Sequence, residues 1–292
     1  MSRHTKIVAT LGPASSDLPT LERLVHAGVD VVRLNFSHGK AEDHIARANQ
    51  IREAAQLVGR PVGILADMQG PKIRVGKFEE GKITLTKDAA FILDAALTTP
   101  GNLHRVGLDY KDLPRDVKPG DVLLLDDGRL KLSVDRVLGH EIHTRIKVGG
   151  ELSNNKGINR QGGGLTAPAL TAKDMDDIKT AALIGVDFVA ISFPKGAADM
   201  YMARQLLRAA GSSALLIAKI ERTEAVANLE EILDASDGIM VARGDLAVEV
   251  GDATVPALQK RMIRLARERN KLAITATQMM ESMIHSPVPT RA

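Results

Sequence analysis

With 292 residues the chain can form one large domain or two smaller ones. Its 44% hydrophobic and 26% charged content matches a soluble globular protein, and a net charge of +3 creates no field over the whole protein for nucleic acid or a membrane surface. Zero cysteines excludes disulfides and thiol chemistry and fits a reducing cytoplasm. No segment approaches the ~20 apolar residues of a bilayer span, and 2% aromatic residues disfavours stacking on single-stranded nucleic acid.

From residue 5 to 67, short apolar runs alternate with helix-like segments. KIVATLG (6–12), DVVRLNFS (30–37) and VGILADM (62–68) predict strands. Between them, residues 20–27 predict a helix stopped by Gly28, and residues 41–58 an amphipathic helix closed by Gly59 and Pro61. From Gln69 to Gly164 the helical spacing disappears. Short strands alternate with Gly, Pro and Asp turns, with a hairpin signal at Asp127-Gly128, and a polar, Gly-rich stretch reads as a hinge or loop. From Leu165 the alternation resumes, with helices predicted at 171–184, 197–210, 223–233 and 256–269. The strands after them are VDFVAISF (186–193), LLIAKIE (215–221), GIMVARGDL (238–246) and LAITATQ (272–278). The expected fold class is α/β: a (β/α)₈-type TIM barrel, seven of its eight units present, with an inserted all-β domain. The expected division is 1–68 barrel, 69–164 inserted domain, which the resemblance described below implies is a lid, and 165–292 barrel. An open doubly wound sheet is the competing architecture.

Polar residues gather near the C-terminal ends of these strands, where ligands sit in parallel α/β folds. Read as strand positions, Arg33, Asn35 and Ser37 share one face, as do Lys219 and Glu221, Arg243 and Asp245, and Thr275 and Thr277. Asp67 shares its face with Leu65. Alone, each has a plain explanation: threonine suits strands, Lys219 and Glu221 could form a simple salt bridge, and Arg-Gly-Asp could suggest adhesion-receptor binding. Five strands with polar tips point instead to one pocket. Glu221 and Asp245 are hard oxygen ligands suited to Mg²⁺, which takes one or two carboxylates plus water and substrate oxygens. Arg33, Arg74, Lys156 and Lys219 are cations able to clamp phosphates. Gly244 lets a ligand carboxylate approach its backbone N–H. No P-loop, G-x-G-x-x-G or H-E-x-x-H pattern is present.

The chain resembles the pyruvate kinase family in KIVATLGPAS (6–15), VVRLNFSHG (31–39), DMQGPKIR (67–74), SNNKGIN (153–159), AKIER (218–222), MVARGDL (240–246), ATQMMESM (276–283) and PTRA (289–292). The resemblance implies phosphoryl transfer from phosphoenolpyruvate to ADP, giving pyruvate and ATP in the cytoplasm. It implies Mg²⁺ or Mn²⁺ as cofactor and a homotetramer, with no nucleic-acid or membrane partner. Lys219 would stabilise the transferring phosphoryl and the enolate, Glu221 and Asp245 would hold Mg²⁺, and Gly244 beside Arg243 would present backbone to the substrate carboxylate. Thr277 would help relay the methyl proton and Arg33 would contact the phosphate. Asn35 and His38 would meet the nucleotide, Arg74 and Lys156 the ATP phosphates. Asn35, Ser37 and Asp67 occupy the family's monovalent-cation positions. Lys72, where many members carry Glu, resembles the K⁺-independent subgroup, since its ammonium can supply the charge of a bound K⁺. The family continues past PTRA, so the chain is expected to be a fragment, marginally stable alone. The competing readings are a Mg²⁺-dependent barrel lyase or aldolase acting on a pyruvate enolate, and an inactive fragment.

Overall fold

The computed structural model describes residues 3–277 and 279–288. Gln278, in the last predicted strand and the ATQMMESM stretch, and PTRA (289–292), where an eighth unit is expected to begin, lie outside the described residues. The chain starts as β1 (Val8–Thr10), α1 (Leu18–Ala27), β2 (Val31–Asn35), α2 (Ala41–Val58) and β3 (Gly63–Asp67). A β-rich segment follows with β4 (Lys82–Leu85), β5 (Ala90–Asp94), β6 (Arg105–Gly107), α3 (Leu113–Asp116), β7 (Val122–Leu125), β8 (Leu130–Leu138), β9 (Glu141–Val148), β10 (Gly150–Ser153) and β11 (Ile158–Arg160). The alternation resumes with α4 (Ala172–Ile184), β12 (Phe188–Ile191), α5 (Ala197–Ala209), β13 (Leu215–Ile220), α6 (Thr223–Ala227), α7 (Leu229–Ala235), β14 (Gly238–Ala242), α8 (Arg243–Val250), α9 (Val255–Glu268) and β15 (Leu272–Ala276).

Seven strands form one sheet in the order β1-β2-β3-β12-β13-β14-β15, every neighbouring pair parallel. The helices make this possible by stopping cleanly. Asp17 accepts the Thr20 N–H at 2.9 Å to start α1, and Gly28 ends it at φ 102°. Thr171 and Asp174 cap α4 reciprocally. One face of the sheet packs on the helices through a large core that includes Leu34, Phe36, Ile51, Ile191, Ile220 and Val241. The other face holds a small cluster of Leu65, Ala190, Ile217 and Met240. Two residues further along their strands, Leu65 is followed by Asp67 and Ile217 by Lys219, so the period of two puts these polar groups directly above that apolar plug.

The β-rich segment has its own core, including Phe91, Leu93, Leu123, Leu132 and Ile142, a six-stranded sheet and a two-stranded one. It is not purely β: Pro114 near the start of the short helix α3 fits the first turn, where a proline costs no hydrogen bond. The predicted hairpin is present between β7 and β8, but its loop is Asp126 to Arg129, with Asp126, Asp127 and Gly128 all at positive φ. The predicted helix at 223–233 divides at Asn228 into α6 and α7.

At the N-terminal end of the large sheet one device recurs. Asp30 accepts the Ile7 N–H at 2.8 Å, Asp187 the Ile64 N–H at 2.7 Å and Asp237 the Leu216 N–H at 2.7 Å. Each aspartate precedes its own strand and ties down the start of the neighbouring one. Replacing Asp187 with alanine leaves the N–H of the buried Ile64 without its partner. The expected loss is about 1–3 kcal/mol of unfolding free energy, read from denaturant unfolding. A Asp187→Ala chain as stable as the parent would show that this clamp contributes nothing.

Candidate functional site

The site is organised around one buried ammonium. Lys219, near the end of β13, lies 2.9 Å from Glu221 Oε1 and 3.2 Å from Asp67 Oδ1, and its Nζ donates to Ser192 Oγ at 2.7 Å. Side-chain exposure is 11% for Lys219 and 1% for both carboxylates, so water does little to screen the charges. Asp67 Oδ2 also takes the Arg33 Nε–H at 2.6 Å. Asp67 Oδ1, despite its proximity to Lys219, accepts no hydrogen bond. Glu221 Oε2 accepts the Phe193 N–H at 2.9 Å.

Burial pushes the Glu221 carboxyl up to about 7; Lys219 opposes that rise, while Asp245 and Asp67 add to it. Burial also works against the charge on Lys219, but Glu221 and Asp67 outweigh it and hold the ammonium above its ordinary range. The attraction between the two would by itself lower Glu221. Its rise means that Lys219 alone does not compensate for burying this carboxylate.

Asp245 joins the cluster from another direction. The predicted strand through 238–246 ends at Ala242, and Arg243, Gly244 and Asp245 form the first turn of α8. The shared strand face expected for Arg243 and Asp245 is therefore wrong. The apolar residues Leu246, Ala247 and Val250 continue at helical spacing, and a carboxylate in a first helical turn is favoured by the helix dipole. No side chain caps this helix. A Cβ built on Gly244 would meet nothing nearer than Thr277 Oγ1 at 3.8 Å, so its backbone is open to a ligand. Arg243 turns away to β15: its Nε donates to the Ala276 carbonyl at 2.8 Å, and its guanidinium also reaches the Thr277 carbonyl. Thr277 has φ 67°, a strained setting for a β-branched residue.

Other sequence-predicted residues are placed less centrally. Asn35 is level with Asp67 across the β2–β3 pairing, and its side-chain oxygen accepts the Ser37 N–H at 3.1 Å. Ser37 lies past the end of β2, and His38 is exposed. Arg74 donates to the Asn155 carbonyl at 2.9 Å and Lys156 pairs with Asp126 at 2.7 Å, both within the β-rich segment. Lys72 reaches Asp245 at 3.2 Å and Asp127 at 3.9 Å, whereas Asp67 is paired with Arg33 and Lys219. The lysine charge thus acts on Asp245.

Sequence reading missed Ser192 and Phe193, just past the end of β12. Ser192 is fully buried and donates to the Met68 carbonyl at 2.7 Å. Phe193 is held at φ 54°, an outlier for a bulky residue, and this turns its N–H to Glu221. Gly70 makes room for both: at φ 67°, a Cβ there would stand 2.7 Å from Ser192 Cβ.

The donor set fits a hard divalent cation. It offers Glu221 and Asp245 carboxylate oxygens, an Asp67 oxygen without a hydrogen bond, and a buried glutamate whose charge is incompletely compensated. Among the described residues no three or more His, Asp or Glu form a ready-made metal cage. No described helix is long and apolar enough to cross a membrane.

Comparison with known proteins gives the same direction. The family model for the pyruvate kinase barrel domain matches residues 2–292. Pyruvate kinase II of Salmonella typhimurium is 56% identical over 294 residues, which cover 99% of this chain and 61% of that protein. The pyruvate kinase of Haemophilus influenzae is likewise 56% identical, and that of Corynebacterium glutamicum 47%, covering 62% and 61% of their lengths. The chain thus spans about 61% of the length of these curated relatives.

The raised Glu221 carboxyl has a sign that can be tested. A carboxyl lifted from 4.5 to about 7 contributes stability that is fully present below the unfolded value and is lost as pH rises through the folded one. Without metal, the chain is expected to lose stability between about pH 5 and about pH 8 relative to Glu221→Gln, whose amide keeps an oxygen for Lys219. Denaturant midpoints at the two ends of that range check this. A difference between parent and variant that does not change with pH would rule out a raised Glu221.

Proposed function

The chain belongs to the pyruvate kinase family, and from that premise we propose that it transfers the phosphoryl group of phosphoenolpyruvate to ADP, giving pyruvate and ATP. The observation that carries the reading is the Lys219 ammonium, buried among Asp67, Glu221 and Ser192 at the C-terminal strand tips. Phosphoryl transfer needs little covalent help from a protein; it needs positioned positive charge where the phosphoryl oxygens and the leaving enolate develop negative charge.

Each residue then has a task. Lys219 holds the transferring phosphoryl and the enolate oxygen, with Arg33 on the phosphoryl oxygens. Gly244 offers the open N-terminal turn of α8 to the substrate carboxylate, because unsatisfied helix N–H groups favour an anion. Glu221 and Asp245 would hold Mg²⁺ or Mn²⁺, which would supply positive charge against the phosphates. A β-phosphate oxygen of ADP forms the new P–O bond as the bond to the enolate oxygen breaks. The enolate then takes a proton at its terminal carbon, near Thr277, and becomes the methyl of pyruvate. Asn35 and His38 meet the nucleotide, and Arg74 and Lys156 its phosphates.

The seven-stranded sheet corresponds to seven units of a (β/α)₈-type barrel spanning 1–68 and 165–292, and residues 69–164 act as a lid. Gly162, Gly163 and Gly164 at its root all have positive φ, which suits a hinge. The protein acts in the cytoplasm as a homo-oligomer. Lys72 supplies, at Asp245, positive charge that a bound K⁺ would otherwise add to the site, so turnover does not require K⁺ at Asn35, Ser37 and Asp67.

Two measurements test this. A coupled assay with phosphoenolpyruvate, ADP and Mg²⁺ should form pyruvate, and Lys219→Met should lower the rate by at least about 10³-fold, as when a transition-state charge partner is lost. Absence of pyruvate from the parent would overturn the reading. The parent should also turn over in K⁺-free buffer, whereas Lys72→Glu should need added K⁺; a parent silent until K⁺ is added would refute the role given to Lys72.

A further inference from the structure

We propose that Ser192 is a positioning residue for Lys219, fixing the rotation of the ammonium so that one of its N–H groups faces the substrate. The inference rests on the role given to Lys219 above. A serine hydroxyl has one proton to donate and lone pairs to accept with. In Ser192 that proton is committed to the Met68 carbonyl at 2.7 Å, so toward Lys219 the oxygen can only accept, also at 2.7 Å. Ser192 is fully buried, and no water competes for either bond. The chain from the Met68 carbonyl through Ser192 to Lys219 therefore has one direction.

An ammonium has three donors. Ser192 takes one. Glu221 at 2.9 Å and Asp67 at 3.2 Å stand beside the ammonium as ion-pair partners, and Asp67 Oδ1 makes no hydrogen bond. With one proton fixed on Ser192, the rotation is set and another is left for a phosphoryl oxygen. Without Ser192 the ammonium can rotate about the Cε–Nζ bond and its donors are no longer assigned. The tip of β12 also serves Glu221 through the Phe193 N–H at 2.9 Å, so two consecutive residues orient both members of the ion pair. Gly70 sets the tolerance, since a Cβ there would overlap Ser192.

The test compares the parent with Ser192→Ala and Ser192→Thr, which keeps the oxygen. The first readout is hydrogen exchange of the Lys219 ammonium in chain labelled with ¹⁵N-lysine, its signal assigned by its loss in Lys219→Arg. The second is steady-state kinetics with phosphoenolpyruvate, ADP and Mg²⁺, and the third is the melting temperature. In Ser192→Ala, ammonium exchange should speed up by at least about tenfold and kcat fall by about 10- to 100-fold, the range set by one hydrogen bond to a charged group. The KM for phosphoenolpyruvate should stay within about threefold, and melting within about 4 °C. Ser192→Thr should restore both exchange protection and most of kcat. Parent-like exchange in Ser192→Ala overturns the proposal. So does faster exchange accompanied by a melting temperature lowered by more than about 4 °C, which marks a purely structural serine. If the parent makes no pyruvate, the reading of function fails separately, and the exchange result alone still decides the role of Ser192.

Discussion

A single ammonium ties the architecture to its chemistry. Lys219 is buried, and a buried charge is tolerated only when it is paired and hydrogen-bonded. Its partners come from elements far apart in sequence: Asp67 at the end of β3, Ser192 past β12 and Glu221 past β13. They meet because the strands are parallel and in fixed register, with Ala190 opposite Asp67 and Ile191 opposite Ala218. A slip of one residue in β13 would send Lys219 to the helix-packed face and bring an apolar neighbour into the site. The apolar plug of Leu65, Ala190, Ile217 and Met240 beneath penalises that slip, so the core and the site enforce the same register.

The two ends of the sheet are built to different rules. At the N-terminal end, Asp30, Asp187 and Asp237 each satisfy a backbone N–H of the neighbouring strand. Arginines finish the helices there: Arg52 takes the Ile184 and Gly185 carbonyls, and Arg60 those of Val25 and Val29. At the C-terminal end the backbone is strained. Phe193 and Thr277 stand at positive φ, a conformation that costs on the order of 1–3 kcal/mol per residue and persists only where the surroundings impose it. In the first case the strain aims an N–H at Glu221; in the second it sets Thr277 beside Gly244.

The alternation of strands and helices could be read from residues 6–67 and 165–277 because apolar period and glycine stops agree there. Lys219, Glu221 and Asp67 could be read as a site because charged residues ending apolar runs have few structural uses. The start of α8 was hidden by continuity: IMVA runs into RGDL without a proline or a capping residue, and the switch from period two to period 3.6 falls at Ala242. Ser192 gave no signal, since a serine at a strand end is ordinary and its importance depends on which strand is its neighbour. Phe193 acts through a backbone N–H, which no side-chain pattern encodes. For Lys72 the charge was legible but its destination was not, because contact with Asp245 spans 173 positions of sequence.

That contact also joins the β-rich segment to the rim of the sheet. Asp245 lies in the first turn of α8, 3.2 Å from the Lys72 ammonium. Both side chains of the pair are about one-quarter exposed, so the attraction is partly screened and modest. It is nonetheless directional, because Lys72 belongs to the start of the β-rich segment while Asp245 belongs to the sheet's helical rim. Asp245 thus draws a cation from the β-rich segment. Glu221, by contrast, keeps Lys219 and the Phe193 N–H regardless, since its partners come from the sheet itself. Of the two carboxylates, Glu221 is therefore held wholly by the sheet and the residues at its strand tips, whereas Asp245 also depends on the β-rich segment.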